Sequence, residues 1–241
     1  MDKRKFKIFR YDSSKDGSPK FESFEVPVDK GMTVLEGLIH IQNYIDGSVA
    51  FRSSCRAGVC GSCAMHINGK YRLACETQIY SLKSKTITIR PLAHLKVIKD
   101  LFVDFTPFWE KIKYIKPFLM SGEPHPERER TQTADQRKNL DGLIDCILCG
   151  ACYAACPVGE THPDYLGPAV FLKVNRFVQD SRDKAEEERL ELVSGLNGVF
   201  RCHTIFNCQE VCPKDLDPTG SIADLKRKII GKKFAISKLY K

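Results

Sequence analysis

The spacing of the cysteine residues is the feature that most constrains this chain of 241 residues. All eleven cysteines fall into three runs. The first is C-x4-C-x2-C, closed by a fourth cysteine after eleven intervening residues; the others are C-x2-C-x2-C-x3-C-P and C-x5-C-x3-C-P. Because thiolates at such spacings hold iron–sulfur clusters, the runs predict several redox centres. The simplest function for such a chain is the conduction of electrons.

The composition indicates a soluble globular protein, with 42% hydrophobic and 28% charged residues. No stretch approaches the roughly 18 apolar residues of a membrane span. The charged start of the chain runs directly into a strand pattern and lacks the apolar segment of a secretory signal. We therefore expect a cytoplasmic protein, bacterial or archaeal, whose clustered thiols bind metal rather than form disulfides.

The basic excess does not indicate a nucleic-acid partner. The formal net charge of +8 assumes neutral thiols. An oxidised cluster with its thiolates carries roughly −2, so three clusters would remove about six positive charges. Much of the positive charge then balances the clusters, and we expect no nucleic acid among the partners.

Strand patterns dominate the first hundred residues. Phe6 and Ile8 alternate with polar neighbours, and residues 21–28, 64–67 and 86–89 also read as strands. Between them, Thr33-x-x-Glu36 is a capping box that opens a helix. These elements predict a small mixed sheet gripping one helix, a β-grasp domain over residues 1–104.

The remainder of the chain is predicted to be mainly helical. The apolar pattern of Leu95 to Phe102 predicts a short helix. Residues 105–139 are rich in proline and charge and are interpreted as a connector. Helical periodicity then alternates with the cysteine runs over residues 140–241. The fold class is α+β: a β-grasp domain followed by an α-helical domain.

The first cysteine run predicts a [2Fe-2S] cluster. Gly58 and Gly61 allow the loop to curl, so that its amides can point at sulfur. The spacing is that of a plant-type [2Fe-2S] ferredoxin, with a tetrahedral zinc site as the alternative. The four predicted ligands are Cys55, Cys60, Cys63 and Cys75.

The second and third runs follow the two-cluster ferredoxin pattern, in which the last cysteine of each run binds the other cluster. That pattern assigns a [4Fe-4S] cluster to Cys146, Cys149, Cys152 and Cys212. The other site receives Cys156, Cys202 and Cys208. Its fourth ligand would lie midway in the x5 gap, where Ile205 cannot bind iron, so we predict a [3Fe-4S] cluster. A labile [4Fe-4S] cluster with water or a foreign ligand is the alternative.

Several motifs together resemble the iron–sulfur subunit of succinate dehydrogenase and fumarate reductase, over nearly the whole chain. The motifs that carry the resemblance are Cys55 to Cys63, Asn68-Gly69, Leu73-Ala74-Cys75, Cys146 to Pro157, Gly167-Pro168-Ala169, Asp180-Ser181-Arg182-Asp183 and Cys202 to Lys214. One departure is the absence of tryptophan between Pro157 and Gly167, where many members carry it. We interpret this departure as a changed quinone-pocket wall that would suit menaquinone.

The resemblance implies an oxidoreductase subunit that is not catalytic alone. Its partners would be a flavoprotein subunit holding FAD and a membrane anchor that brings the chain to the cytoplasmic face of the inner membrane. Electrons would pass through [2Fe-2S], [4Fe-4S] and [3Fe-4S] to a quinone. The residues that the resemblance places at the quinone are Pro157, His203, Ile205 and Lys226. Among these, His203 could exchange a proton near neutral pH.

Two other functions are open from the sequence. The first is an iron–sulfur relay subunit of a related soluble reductase, with a thiol or disulfide partner. The second is a self-contained enzyme, which the lack of a dinucleotide-binding fingerprint or a phosphate-binding loop disfavours.

Overall fold

The structure is a computed structural model that describes residues 2–15, 17–122 and 126–239, with side chains described as far as residue 232. The chain divides into two compact units. Unit 1 comprises Met1–Pro107, Ile147–Ala155 and Val211–Pro213, and unit 2 comprises Phe108–Cys146, Cys156–Glu210 and Lys214–Lys241. Two short segments of the cysteine-rich half therefore belong to unit 1. The predicted domain boundaries, after residues 104 and 139, stay predictions.

The described residues form seven strands, nine α-helices and two short 3-10 helices, Ile79–Leu82 and Val199–Arg201. The strands are β1 (Asp2–Arg10), β2 (Lys20–Val28), β3 (Ala64–Ile67), β4 (Lys70–Leu73), β5 (Thr86–Arg90), β6 (Val97–Lys99) and β7 (Phe102–Val103). The helices are α1 (Val34–Tyr44), α2 (Thr106–Tyr114), α3 (Ala134–Lys138), α4 (Ala151–Ala155), α5 (Val158–Thr161), α6 (Pro168–Val178), α7 (Glu186–Leu192), α8 (Asn207–Glu210) and α9 (Pro218–Leu239). Parts of the predicted connector are thus the helices α2 and α3.

Unit 1 is built on a five-stranded mixed sheet in the order β2-β1-β5-β3-β4. Strand β1 pairs antiparallel with β2 and parallel with β5, and β3 pairs antiparallel with both β4 and β5. The predicted alternation in β1 is confirmed, since Phe6 and Ile8 are fully buried. Leu38 and Ile41 of α1 are equally buried, as expected for a helix that covers one face of a sheet.

Two predicted local signals are also confirmed. The Thr33 side chain accepts from the Glu36 amide, and the Glu36 carboxylate accepts from the Thr33 amide, which completes the capping box of α1. Asn68 and Gly69 both have positive φ, 45° and 87°, and join β3 to β4 in a two-residue hairpin. This hairpin returns the chain to Cys75.

The predicted helix from Leu95 to Phe102 is wrong: this segment forms the hairpin of β6 and β7. The turn is set by Asp100, whose φ is 50°. Its buried carboxylate accepts three hydrogen bonds at 2.9 to 3.1 Å, from the Arg10 side chain and from the amides of Tyr11 and Ala50. These tertiary bonds outweigh the weak local preference for a helix.

A buried arginine connects several segments of unit 2. Arg189 of α7 is fully buried and donates to both carboxylate oxygens of Asp183, at 3.1 and 2.8 Å. It also lies over the Phe177 ring, 4.3 Å from its centroid. Its remaining donors bind the carbonyls of Ile115, Lys116 and Phe118. Because breaking a buried ion pair costs about 3–5 kcal/mol, this arrangement ties residues 115–118 firmly to α7.

Among the described residues, no helix is both long enough and apolar enough to cross a membrane.

Candidate functional site

The first cysteine run forms a loop whose backbone amides point at sulfur. Three amides within residues 57–60 donate to the Sγ of Cys55, at 3.2 to 3.4 Å. The amide of Gly58 donates to the Sγ of Cys75 at 3.3 Å. Amide donors stabilise the thiolate form of a cysteine, which is the form that binds iron. The loop therefore fits the predicted [2Fe-2S] cluster.

Two glycines make this loop possible. Gly58 and Gly61 have φ of 67° and 69°, a region that other residues rarely adopt. A Cβ atom on Gly58 would lie 1.9 Å from Oε1 of Glu76. A Cβ atom on Gly61 would lie 2.7 Å from the Cβ and 2.8 Å from the Cα of Cys149. Within unit 1, the first cysteine loop thus packs directly on the backbone of the second run.

The thiols of this loop differ in acidity. Burial raises the pKa of Cys60, but hydrogen bonds from the Ser62 hydroxyl and the Cys55 amide outweigh burial and bring the pKa down to about 6. Burial raises the pKa of Cys63 to about 12. The surroundings of Cys60 thus favour the thiolate, the form that binds metal, more than those of Cys63 do.

One edge of this loop is open to solvent. Cys55 and Cys60 are exposed, whereas Cys63 and Cys75 are buried. Val59, which lies between the two exposed cysteines, is 64% exposed. An electron could therefore enter or leave this site across a short distance from the surface.

Three of the four cysteines predicted to bind [4Fe-4S] belong to unit 1: Cys149, Cys152 and Cys212. Cys149 is buried, and the other two are half-buried. Cys146 precedes this unit's second segment by one peptide bond. Leu148, which lies between Cys146 and Cys149, has a φ of 54°. This conformation is strained for a branched side chain and bends the run.

The third group of cysteines lies around one pocket of unit 2. Cys156, Cys202 and Cys208 all line it, and its empty space, counted to the open mouth, is about 340 Å³. Burial raises the pKa of both Cys156 and Cys208, and the negative charges of the neighbouring thiolates raise each further. The structure therefore brings together all three cysteines predicted for the [3Fe-4S] cluster.

The residue midway between Cys202 and Cys208 presents no ligand atom. Ile205 lines the same pocket, and its side chain is 49% exposed. The loop around it is sharply bent, since Thr204 and Phe206 have φ of 57° and 68°. Three thiols and one aliphatic side chain fit a cluster that binds the protein through three irons.

The predicted quinone residues fall into two groups. Pro157, His203 and Ile205 line the pocket of the third cysteine group. Lys226 of α9 is placed differently: its Nζ donates to the carbonyl oxygen of Cys202 at 3.0 Å. Lys226 thus supports the backbone of a predicted cluster ligand. The quinone roles of all four residues stay predictions.

Tyr165 is a residue of this pocket that the sequence analysis did not identify. Tyr165 is 1% exposed and lines the pocket, and its hydroxyl has no hydrogen-bond partner within the described part of the chain. Leaving such a group unsatisfied costs about 1–3 kcal/mol. Burial raises the pKa of Tyr165, and the charges of Cys202 and Cys156 raise it further. Its only sequence signal was its place just before Leu166-Gly167-Pro168.

In the parts of the chain that the structure describes, no three His, Cys, Asp or Glu side chains converge as ligands of one metal ion.

Comparisons with known families agree with this arrangement. Residues 5–110 match the family described as 2Fe-2S iron-sulfur cluster binding domain. Residues 123–216 match the family described as 4Fe-4S dicluster domain. The predicted fold class, a [2Fe-2S] β-grasp domain followed by a helical two-cluster domain, is confirmed.

Individual proteins are similar over most of the chain. The succinate dehydrogenase iron-sulfur subunit of Paracoccus denitrificans is 42% identical over 229 residues, which cover 94% of this chain and 88% of the relative. A chain of the Mycobacterium smegmatis Sdh1 complex in the apo form has a TM-score of 0.88 at 25% identity, covering 96% of this chain and 97% of its own. A hypothetical protein from Helicobacter pylori shares the fold, with a TM-score of 0.55 at 19% identity over 93% of this chain and 39% of its own.

Proposed function

Because this chain belongs to the family of succinate dehydrogenase iron–sulfur subunits, we propose that it relays electrons between the FAD of a flavoprotein subunit and a membrane quinone. The chain is thus a subunit of an oxidoreductase complex, and we infer that it is not catalytic alone. When bound, its clusters would each carry one electron at a time. The relay would run through [2Fe-2S], [4Fe-4S] and [3Fe-4S].

The observation that carries this proposal is the third pocket, which three cysteines line together with Ile205. A structural metal site has closed coordination, as in tetrahedral zinc sites. Here the cysteine set is incomplete, and an isoleucine stands where a ligand is expected. Such a site suits a redox centre whose open corner needs no protein ligand.

The [2Fe-2S] loop supports contact with a flavoprotein. Its exposed edge consists of Cys55, Cys60 and Val59, so that a partner docked there would lie next to two of the ligands. We infer that the flavoprotein subunit binds this edge.

The surface around the third pocket supports contact with a membrane anchor. Leu196 is 86% exposed, and Phe200, Ile205 and Phe206 are each between 46% and 49% exposed. Leu196 and Phe200 line a shallow recess together with His203. Apolar side chains at this density are costly in water and favour a covered interface. We infer that anchor subunits cover them and hold the chain at the cytoplasmic face of the inner membrane.

The same pocket supports the proposed quinone site. Pro157, His203 and Ile205 line it, and Lys226 donates to the carbonyl of Cys202, another lining residue. An apolar wall with one imidazole suits a quinone, whose ring is apolar and whose oxygens accept hydrogen bonds. This placement keeps the quinone beside the three-cysteine pocket.

The alternative is a soluble reductase with a thiol or disulfide partner. The exposed apolar residues around the third pocket favour the membrane anchor instead.

The electron donor distinguishes the succinate-driven relay from the soluble reductase. With the chain purified in its complex with the flavoprotein and anchors, we expect succinate to reduce the three-iron cluster chemically. The signal of the oxidised cluster in electron paramagnetic resonance should then disappear. Malonate, which resembles succinate but cannot be oxidised in the same way, should leave the signal unchanged. Reduction by a dithiol but not by succinate would contradict the proposal and favour the soluble reductase.

A further inference from the structure

The hydroxyl of Tyr165 is unusual among the buried polar atoms of the chain. In the described residues, four buried side-chain nitrogen or oxygen atoms lack a hydrogen-bond partner. Of these four, only Tyr165 lines the pocket of the third cysteine group. Buried tyrosine hydroxyls usually find a partner, so each exception requires an explanation.

The backbone holds Tyr165 firmly in place. Its amide donates to the His162 carbonyl at 3.0 Å, and its own carbonyl accepts from Lys111 Nζ at 2.8 Å. The next amide, that of Leu166, donates to the carbonyl of Asn197 at 3.1 Å. The tyrosine ring packs on Phe171 with centroids 5.5 Å apart. The hydroxyl therefore cannot turn away to reach solvent.

The groups that act on this hydroxyl are sulfurs. The thiols of Cys156, Cys202 and Cys208 all interact electrostatically with Tyr165. Of the three, Cys202 acts on it most strongly and does so partly as a hydrogen-bond acceptor, although the two groups do not reach the geometry of a regular hydrogen bond. A donor that makes no regular hydrogen bond within the described residues is thus held at the edge of the space that the three cysteines line.

We propose that the Tyr165 hydroxyl donates a hydrogen bond to a sulfur of the cluster held by Cys156, Cys202 and Cys208, and so raises that cluster's reduction potential. The inference rests on the proposed function, because it requires the cluster. Reduction adds negative charge to the cluster, so a donor at its sulfur stabilises the reduced state more than the oxidised state. Tyr165 is thus a positioning and tuning residue for electron transfer.

The test is a redox titration of Y165F in the assembled complex, followed by electron paramagnetic resonance. Phenylalanine keeps the packing on Phe171 and removes only the hydroxyl. We expect the equilibrium constant for one-electron reduction of the three-iron centre to fall about tenfold, a potential lower by about 59 mV. The matched control is Y114F, because Tyr114 is 51% exposed and does not line the pocket. Y114F should titrate like the unmodified complex.

A second readout separates the hydrogen bond from repacking. Pulsed resonance spectra in H₂O and D₂O should show an exchangeable proton coupled to the three-iron centre, and Y165F should lose this coupling. If Y165F loads its clusters poorly, 3-fluorotyrosine at position 165 provides the second variant. Fluorine makes the hydroxyl a stronger donor, so this variant should raise the potential.

The outcomes distinguish the two proposals. If the unmodified complex has no three-iron signal, the assignment of the cluster and this inference both fail. If that signal is present but Y165F leaves both the potential and the proton coupling unchanged, this inference alone is overturned. A lower potential with the coupling retained also overturns it, because repacking would then be the cause.

Discussion

Replacing Ile205 with cysteine is expected to convert the three-iron centre into a four-iron centre. Residue 205 lines the pocket of Cys156, Cys202 and Cys208 and already stands midway in the x5 gap. A thiolate there would provide the missing fourth ligand, and cysteine is smaller than isoleucine, so no overpacking opposes it. We expect the three-iron signal of the oxidised complex to disappear and the iron content to rise by about one atom per chain.

The same substitution should slow quinone reduction. We expect the reduction potential of the converted centre, the last in the relay, to fall by at least about 59 mV. Each such fall lowers the equilibrium constant for its one-electron reduction tenfold. The control is I205V, which removes one methylene and adds no ligand. I205V should keep the three-iron signal. An I205C complex with that signal and unchanged iron content would contradict the placement of residue 205 at the open corner.

Replacing Gly61 with alanine is expected to disrupt the first two cluster sites together. The new Cβ would lie 2.7 Å from the Cβ and 2.8 Å from the Cα of Cys149, and backbone atoms cannot move aside as the end of a side chain can. Overpacking of this kind costs about 1–3 kcal/mol. The left-handed backbone at φ 69° adds about 1–2 kcal/mol for any residue with a Cβ.

The matched control for G61A is G69A. Gly69 also has a positive φ, 87°, but a Cβ there would meet nothing within 4 Å. G69A should therefore cost only the backbone strain and keep both clusters. The measurement is the integrated intensity of the [2Fe-2S] and [4Fe-4S] signals in the reduced complex, together with its unfolding temperature. Equal losses in the two variants would contradict the close packing of the first loop on Cys149.

Local signals in the sequence predicted much of unit 1. The alternation of Phe6 and Ile8, the Thr33–Glu36 capping box and the Asn68-Gly69 turn each depend on residues close together in the chain. Such signals are reliable because the interactions that create them are local. The grouping of Cys156, Cys202 and Cys208 was also predictable, because cysteine spacing encodes which run serves which cluster.

The errors and omissions came from interactions between distant residues. The segment from Leu95 to Phe102 has helical periodicity, but Asp100 binds Arg10 and the Ala50 amide and forces a hairpin. Short apolar runs do not distinguish a helix from a strand. Tyr165 escaped notice for a similar reason: an isolated tyrosine becomes informative only when its hydroxyl is found buried beside three thiols.

The most direct test of the relay is the iron content and the resonance spectrum of the assembled complex as isolated. Three clusters of two, four and three irons predict about nine iron atoms per chain and a three-iron signal in the oxidised sample. Stepwise reduction should then reveal the two-iron and four-iron signals. An iron content well below about nine in a fully loaded sample, or an oxidised sample without the three-iron signal, would contradict the account.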